Sequence, residues 1–317
     1  MSGGSGDFGG RRFEISGGGY RAELTEVGAD LAGLWRRVDE DRGDDGASTG
    51  ATGTGGWEPV TVDNPPDALP PKSSGAVLLP WPNRIAGGSY RFDGVDYQLP
   101  LTEPANGNAT HGLARWVRWS PERQSESSVT LAHDLVPQTG YPFQLRLRVT
   151  YSVGADGLDV AVEAVNTGSA TAPFGAGCHP YLDLGEHDYD TAELLVPAAA
   201  MLDTDDHQIP TGTRPVEGGP YDFRTIRTIG SLRLDQGYAE LTGSVAVLRT
   251  ERRTVELHWD DAFRYLQVFT PPEILPGRRA VAIEPMSCPA NAFNSGEGLV
   301  RLEPGQRWTG NWGIRLI

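Results

Sequence analysis

The chain has 317 residues, with 42 Asp plus Glu against 27 Lys plus Arg, and a formal net charge of −15 at pH 7. That balance excludes partners that are themselves polyanions, so nucleic acid and anionic membrane surfaces are set aside. Lys72 is the only lysine, which removes nearly every candidate for Schiff-base chemistry; two cysteines, Cys178 and Cys288, are too few for a disulfide scaffold and read as reduced thiols.

The opening MSGGSGDFGGRR lacks the apolar core of a signal peptide, and no apolar run is long enough to span a membrane. Residues 1–11 are expected to be a flexible start, residues 12–317 a single domain, and the location cytoplasmic. FEISGGGYRAELTEVG, residues 13–28, reads as strands punctuated by glycine. About residues 38–59, VDEDRGDDGASTGATGTGGWEP turns acidic and then Gly/Thr-rich; it is too polar to order itself by burial and reads as a surface insertion between early strands. Lys72 follows in the loop-like PPDALPPKSSG.

In LLPWPNRIAGGSYRFDG, Arg84 comes after a Trp81-Pro82-Asn83 turn and before two glycines. Its fixed fork of donors suits hydroxyls or a carboxylate, and equally suits a structural surface position. GSYRFDGVDYQL continues the strand pattern, and NATHGLARW then supplies His111. LRLRVTY (Leu145 to Tyr151) and LDVAVEAV (Leu158 to Val165) alternate with period two around the turn text SVGADG, which makes them a hairpin of half-buried strands.

GCHPYLDLG, residues 177–185, frames His179. Pro180 disfavours the helical region for His179 and has no N–H, so the histidine should be extended where a strand stops pairing. His187 and His207 sit in acidic, turn-rich text, whereas His133 and His258 lie in strand-like runs. GPYDFRTIR places Asp222 before an aromatic. TVELHWD, RYLQVFTP, RRAVAIEP and GNWGIRLI are further strands. In VAIEP the alternation puts Val281 and Ile283 on one face and Glu284 on the other, and Pro285 is expected to end the pairing. The competing reading of Glu284 is a solvated edge carboxylate.

With 41 glycines and 24 prolines between short apolar runs, and no sustained 3.6-residue period, the chain reads as all-β. So many antiparallel strands point to a large sandwich, because two packed sheets bury their apolar faces without helical layers. No HxH, HExxH or CxxC spacing is present, which argues against the metal sites readable from sequence.

Six islands carry a resemblance. NRI-x-x-G-x-Y-x-F-x-G-x-x-Y-x-L (Asn83 to Leu99), NATHG (Asn108 to Gly112), HPYL-x-L (His179 to Leu184), YDFR (Tyr221 to Arg224), EPMSCPANAFN (Glu284 to Asn294) and L-x-PGQ (Leu302 to Gln306) together resemble the aldose 1-epimerase, or galactose mutarotase, family. The resemblance implies a large antiparallel β-supersandwich that interconverts α and β anomers of free hexoses without a cofactor, as a monomer or homodimer. It implies Glu284 as general base, His179 as general acid, His111, Arg84 and Asn83 as sugar-binding groups, and Asp222 as a carboxylate fixing sugar hydroxyls.

The residue types suit the reaction: ring opening needs a proton taken from the anomeric hydroxyl and one given to the ring oxygen, and a carboxylate and an imidazolium on opposite sides of the ring suffice. For both to be charged near neutral pH, their attraction must offset the desolvation of each. Trp81, Trp116, Trp119 and Tyr181 are candidates for a stacking surface, of which at most one is expected to serve. His111-Gly112 is followed by Leu113 where many relatives have a second glycine, and the insertion is no family hallmark; both departures bear on substrate preference. Three rivals stand beside this reading. A hexose 6-phosphate epimerase needs a cationic cradle, for which Arg84, Arg115 and Arg118 are available but form no dense cluster, so a neutral hexose is preferred. A non-catalytic carbohydrate-binding protein would lose the point of keeping both His179 and Glu284. A metal held by His111, His179 and Glu284 lacks the usual ligand spacing.

Overall fold

The computed structural model describes residues 8–38 and 56–317, so the first seven residues and most of the 38–59 insertion lie outside the described residues. Antiparallel strands dominate. In space, the widest sheet runs Ser120–Gln124, Ser128–Leu135, Leu145–Gly154, Gly157–Asn166, Arg307–Leu316, Thr254–Trp259, Val245–Arg249, Glu193–Leu195 and Arg227–Thr228. The second runs Pro210–Pro215, Ala198–Thr204, Asp235–Leu241, Tyr265–Phe269, Ala280–Met286, Gly177–Cys178 and Val77–Leu78, with Tyr181–Asp183 also paired to Ala280–Met286. Arg12–Gly17, Tyr20–Thr25, Leu31–Arg37 and Trp57–Pro59 form a smaller third sheet.

The sequence pattern accounts for these elements directly. The expected hairpin is present in register from Leu145↔Asn166 to Gly154↔Gly157, and burial alternates along Leu145–Gly154 as the period-two text requires. Its inward residues, among them Leu147, Val149 and Tyr151, join Val268, Val281 and Ile283 of the second sheet in one buried cluster. Burying each such side chain is worth about 1.5–3 kcal/mol, which is what holds the sheets face to face. Among the described residues the only helical turns are Ala292–Ser295 and Pro71–Ser73, and no helix is long and apolar enough to cross a membrane.

Ala280–Met286 organises the functional end of the molecule. It is buried along its whole length, and its two faces divide as expected: Val281 and Ile283 enter the main core, whereas Ala280 and Ala282 pack with Tyr181 in a second small cluster. Pro285 does not end the strand, contrary to the expectation from sequence; it stays paired opposite Leu266. On the other flank the ladder is interrupted between Gly177↔Met286 and Tyr181↔Ala282, where His179 and Pro180 pass. A residue without an N–H is tolerated beside a ladder that is already broken. Glu284 consequently lies inside a sheet, only 2% exposed, and is no solvated edge residue.

Candidate active site

The gap in the ladder is what brings His179 to Glu284. With no strand partner beside it, the His179 backbone bonds sideways: its N–H donates to the Ala76 carbonyl (3.0 Å) and its carbonyl accepts from Gly75 N–H (2.9 Å). The ring then lies over the neighbouring strand, with Nε2 3.3 Å from Glu284 Oε1. Tyr181 stacks on it at 5.0 Å and 19°, and His111 meets it edge-on at 5.6 Å. Ser287 fastens the two segments, since its N–H donates to the Ala176 carbonyl and its Oγ accepts from Ala176 N–H, both at 2.8 Å.

Arg84 and His111 come from a two-stranded piece, Arg84–Ala86 with Asn108–Thr110. Asn83 (φ 53°) and His111 (φ 59°) both adopt left-handed backbone, and His111 N–H donates to the Asn83 carbonyl at 2.8 Å. Left-handed non-glycine residues cost energy and are retained where the surroundings over-determine them. The glycine after the histidine is required outright: a Cβ on Gly112 would stand 2.0 Å from the Leu79 carbonyl oxygen. Arg84 uses three of its five N–H donors here, from Nε and Nη2 to the two oxygens of Glu103 (2.9 Å each) and from Nη1 to Asn83 Oδ1 (3.1 Å). Asn83 Nδ2 continues the chain to Gln267 Oε1 (3.4 Å), whose Nε2 donates to Asp235 Oδ1 (2.7 Å).

These groups line one cavity of about 270 Å³, together with Lys72, Ser73, Thr110, Arg115, Tyr181 and Phe269. That volume is close to the lower end of the range of about 300–1,000 Å³ found for small-molecule sites, and suits one small polar molecule. Asn83, Arg84, His111, His179 and Glu284 are all brought together here; Asp222 is not. Its carboxylate lies outside the cavity and is taken up by Arg224 (2.9 and 2.8 Å) and by Gly218 N–H (3.1 Å). A third acidic residue lines the cavity beside Glu103 and Glu284, namely Asp235, placed there by the pairing of Asp235–Leu241 with Tyr265–Phe269. Of the four aromatics considered, Tyr181 alone lines the cavity; Trp81 and Trp119 are buried in the core and Trp116 is 51% exposed elsewhere. Arg118 pairs with Glu26, and Cys178 and Cys288 are free buried thiols.

Desolvation sets the protonation states. Burial raises the Glu284 carboxyl well above its ordinary range, with Asp235 pushing the same way and Arg84 opposing. Burial, aided by Arg115, lowers His179 to about 3, and burial with Arg115, His179 and Arg84 lowers His111 well below the usual imidazole value. Desolvation thus favours the neutral form of each group, a carboxylic acid against an imidazole, and works against the mutual attraction of the charged form. Buried atoms without partners surround this point: Glu284 Oε2, His179 Nδ1, His111 Nδ1 and Arg115 Nε. Among the described residues no three His, Cys, Asp or Glu side chains are grouped to hold a metal ion.

A buried histidine–glutamate contact at the wall of a small polar cavity, carried on stacked antiparallel sheets, is an arrangement able to pass a proton. The chain belongs to the aldose 1-epimerase family, which it matches over residues 60–315. It is 34% identical over 301 residues to the uncharacterized protein YihR of Escherichia coli, covering 94% of this chain and 90% of that one. To the galactose mutarotase of Rattus norvegicus it is 35% identical over 164 residues, an overlap of 49% of this chain and 46% of the relative, so the chain spans about half the length of that enzyme. Among solved structures it resembles a GalM/aldose epimerase homologue from C. elegans (TM-score 0.80, 21% identity, 97% and 98% of the two chains). It also resembles a galactose 1-epimerase from Lactobacillus acidophilus (TM-score 0.69, 19% identity, 94% and 92%). The galactose mutarotase-like, all-β fold expected from the sequence is thus the fold observed.

Proposed function

We propose that the protein is a mutarotase that interconverts the α and β anomers of an aldose by acid–base ring opening and closure. The observation that carries this reading is the buried 3.3 Å contact of His179 Nε2 with Glu284 Oε1 at the wall of the cavity. The anomeric hydroxyl oxygen and the ring oxygen are bonded to the same carbon, so the groups that serve them need to be neighbours.

Between them the two side chains hold one proton. Burial favours that proton on Glu284, and its passage across the contact yields a carboxylate and an imidazolium. Hydroxyls of a bound sugar that donate to Glu284, together with the nearby Arg84 charge, favour that form. Glu284 then accepts the anomeric proton while His179 protonates the ring oxygen; rotation about the adjoining carbon–carbon bond and the reverse transfers close the ring on the other face. Each transfer contributes roughly 10²–10⁴-fold. Tyr181, flat against His179, fixes the imidazole plane, and Asn83, Arg84, His111, Asp235 and Gln267 offer hydrogen bonds to the sugar hydroxyls.

Polarimetry of freshly dissolved α-D-glucose and α-D-galactose tests the reading. The protein should speed the approach to anomeric equilibrium, and Glu284→Gln and His179→Asn should each remove at least about 10²-fold of the rate with unchanged circular dichroism. Sugar binding with only the spontaneous decay would make the protein a non-catalytic carbohydrate binder.

A further inference from the structure

The chain's only lysine lines the cavity, next to a buried arginine. Arg115 is 9% exposed; it donates from Nη1 to Ser73 Oγ (2.7 Å) and from Nη2 to the Thr110 carbonyl (3.2 Å), while its buried Nε has no partner. Among the described residues neither Lys72 nor Arg115 forms an ion pair, unlike Arg84, whose fork is closed on Glu103. Asp30 acts on Arg115 through space but forms no ion pair with it, and burial lifts its carboxyl to about 8. Lys72 (φ 48°) and Ser73 (φ 61°) are consecutive left-handed residues, and the loop that holds them is tied to the acid–base pair. Gly75 N–H donates to the His179 carbonyl at 2.9 Å, and the Tyr181 hydroxyl donates to the Lys72 carbonyl at 3.4 Å. The loop that carries Lys72 is therefore tied to His179 directly through Gly75 and again through Tyr181.

The charges around the cavity do not cancel. Lys72, Arg84 and Arg115 face Glu103 and Asp235, which leaves one formal positive charge, and a Glu284–His179 pair that shares one proton adds none whichever side holds it. A buried guanidinium nitrogen with no acceptor costs free energy until an acceptor arrives, and a charge-assisted bond from Arg or Lys to an oxyanion supplies one.

We propose that the natural substrate is a monoanionic aldose, a pyranose whose exocyclic carbon carries a carboxylate or a sulfate ester, with Arg115, Lys72 and the Ser73 hydroxyl as the seat of the oxyanion. This rests on the mutarotase reading and narrows it. The one surplus charge matches a monoanion, whereas a phosphate ester brings close to two negative charges. The preference for a neutral hexose drawn from sequence is replaced, because Lys72 joins Arg115 only in the folded chain.

The test compares anomer exchange of D-glucose, D-glucuronate, glucose 6-sulfate and glucose 6-phosphate by NMR. At least one monoanion should exceed glucose in kcat/KM by about tenfold or more, with the planar carboxylate and the tetrahedral sulfate arms showing which oxyanion fits. Lys72→Gln should lower the monoanion-to-glucose ratio by about tenfold and Lys72→Arg should restore it; Arg115→Met should act alike if it folds, and the exposed Lys72 decides the matter if it does not. Glucose turned over as well as every anion, or glucose 6-phosphate preferred to both monoanions, overturns the proposal. If no sugar is turned over, the mutarotase reading fails, and acetylation of Lys72 decides the anion seat separately. Protection by glucuronate or glucose 6-sulfate at concentrations where glucose gives none supports it, and equal labelling with all of them overturns it.

Discussion

Desolvation decides the behaviour of the individual residues at this site. In the proposed mechanism His179 and Glu284 share one proton, and the pair works only while it holds that single proton. Adding a second requires protonating an imidazole lowered to about 3, and removing the last requires ionising a carboxyl raised well above its ordinary range. The kcat/KM profile should therefore keep its plateau far below pH 6.5, the ordinary imidazole value, with an alkaline limb well above the carboxylate range; these limbs belong to the pair. An acid limb centred near pH 6.5 would mean that His179 titrates as a solvated group. His179, Glu284, His111, Arg84 and Asn83 were legible because each sits in a local frame of proline, glycine or turn residues that survives without knowledge of the fold. Asp235 was not: LDQGYAEL is an ordinary strand text, and only pairing opposite Phe269 carries its carboxylate to the cavity. Asp222 misled for the converse reason, since a conspicuous YDFR neighbourhood proved to be a local turn closed on Arg224.

Among the elements, the interrupted ladder beside Ala280–Met286 matters most. Where a continuous strand would pair, the chain spends His179 and Pro180, and Ser287 holds the loose end through Ala176. Ser287→Ala should leave the buried Ala176 N–H without its acceptor and cost about 1–3 kcal/mol in urea unfolding. It should also reduce kcat more than it raises KM, since the spacing of the acid–base pair is disturbed while the sugar-binding groups stay in place. Unchanged stability would show that Ala176 finds another acceptor. Hairpin strands such as Leu145–Gly154 could be read from alternation alone, because one face is buried and one is wet. The strand Ala280–Met286 could not be bounded that way: it is buried on both faces, and whether Pro285 breaks it depends on a neighbour more than a hundred residues away.

Taken whole, the molecule separates its overall charge from its local charge. The net −15 is spread over the chain, while the cavity keeps the Arg115 guanidinium and the single lysine. The overall excess should prevent retention on heparin or DNA columns at physiological salt, and retention there would expose a basic surface that the sequence does not suggest. Composition made the outer field readable at once, whereas the inner one emerges only when residues 72, 84 and 115 meet across the fold. A practical corollary attaches to the solitary ε-amine. Cross-linkers, dyes and activated resins that seek primary amines will find their only side-chain target in the lining of this cavity. Anyone mounting this protein on an electrode or a bead by that chemistry would be corking it.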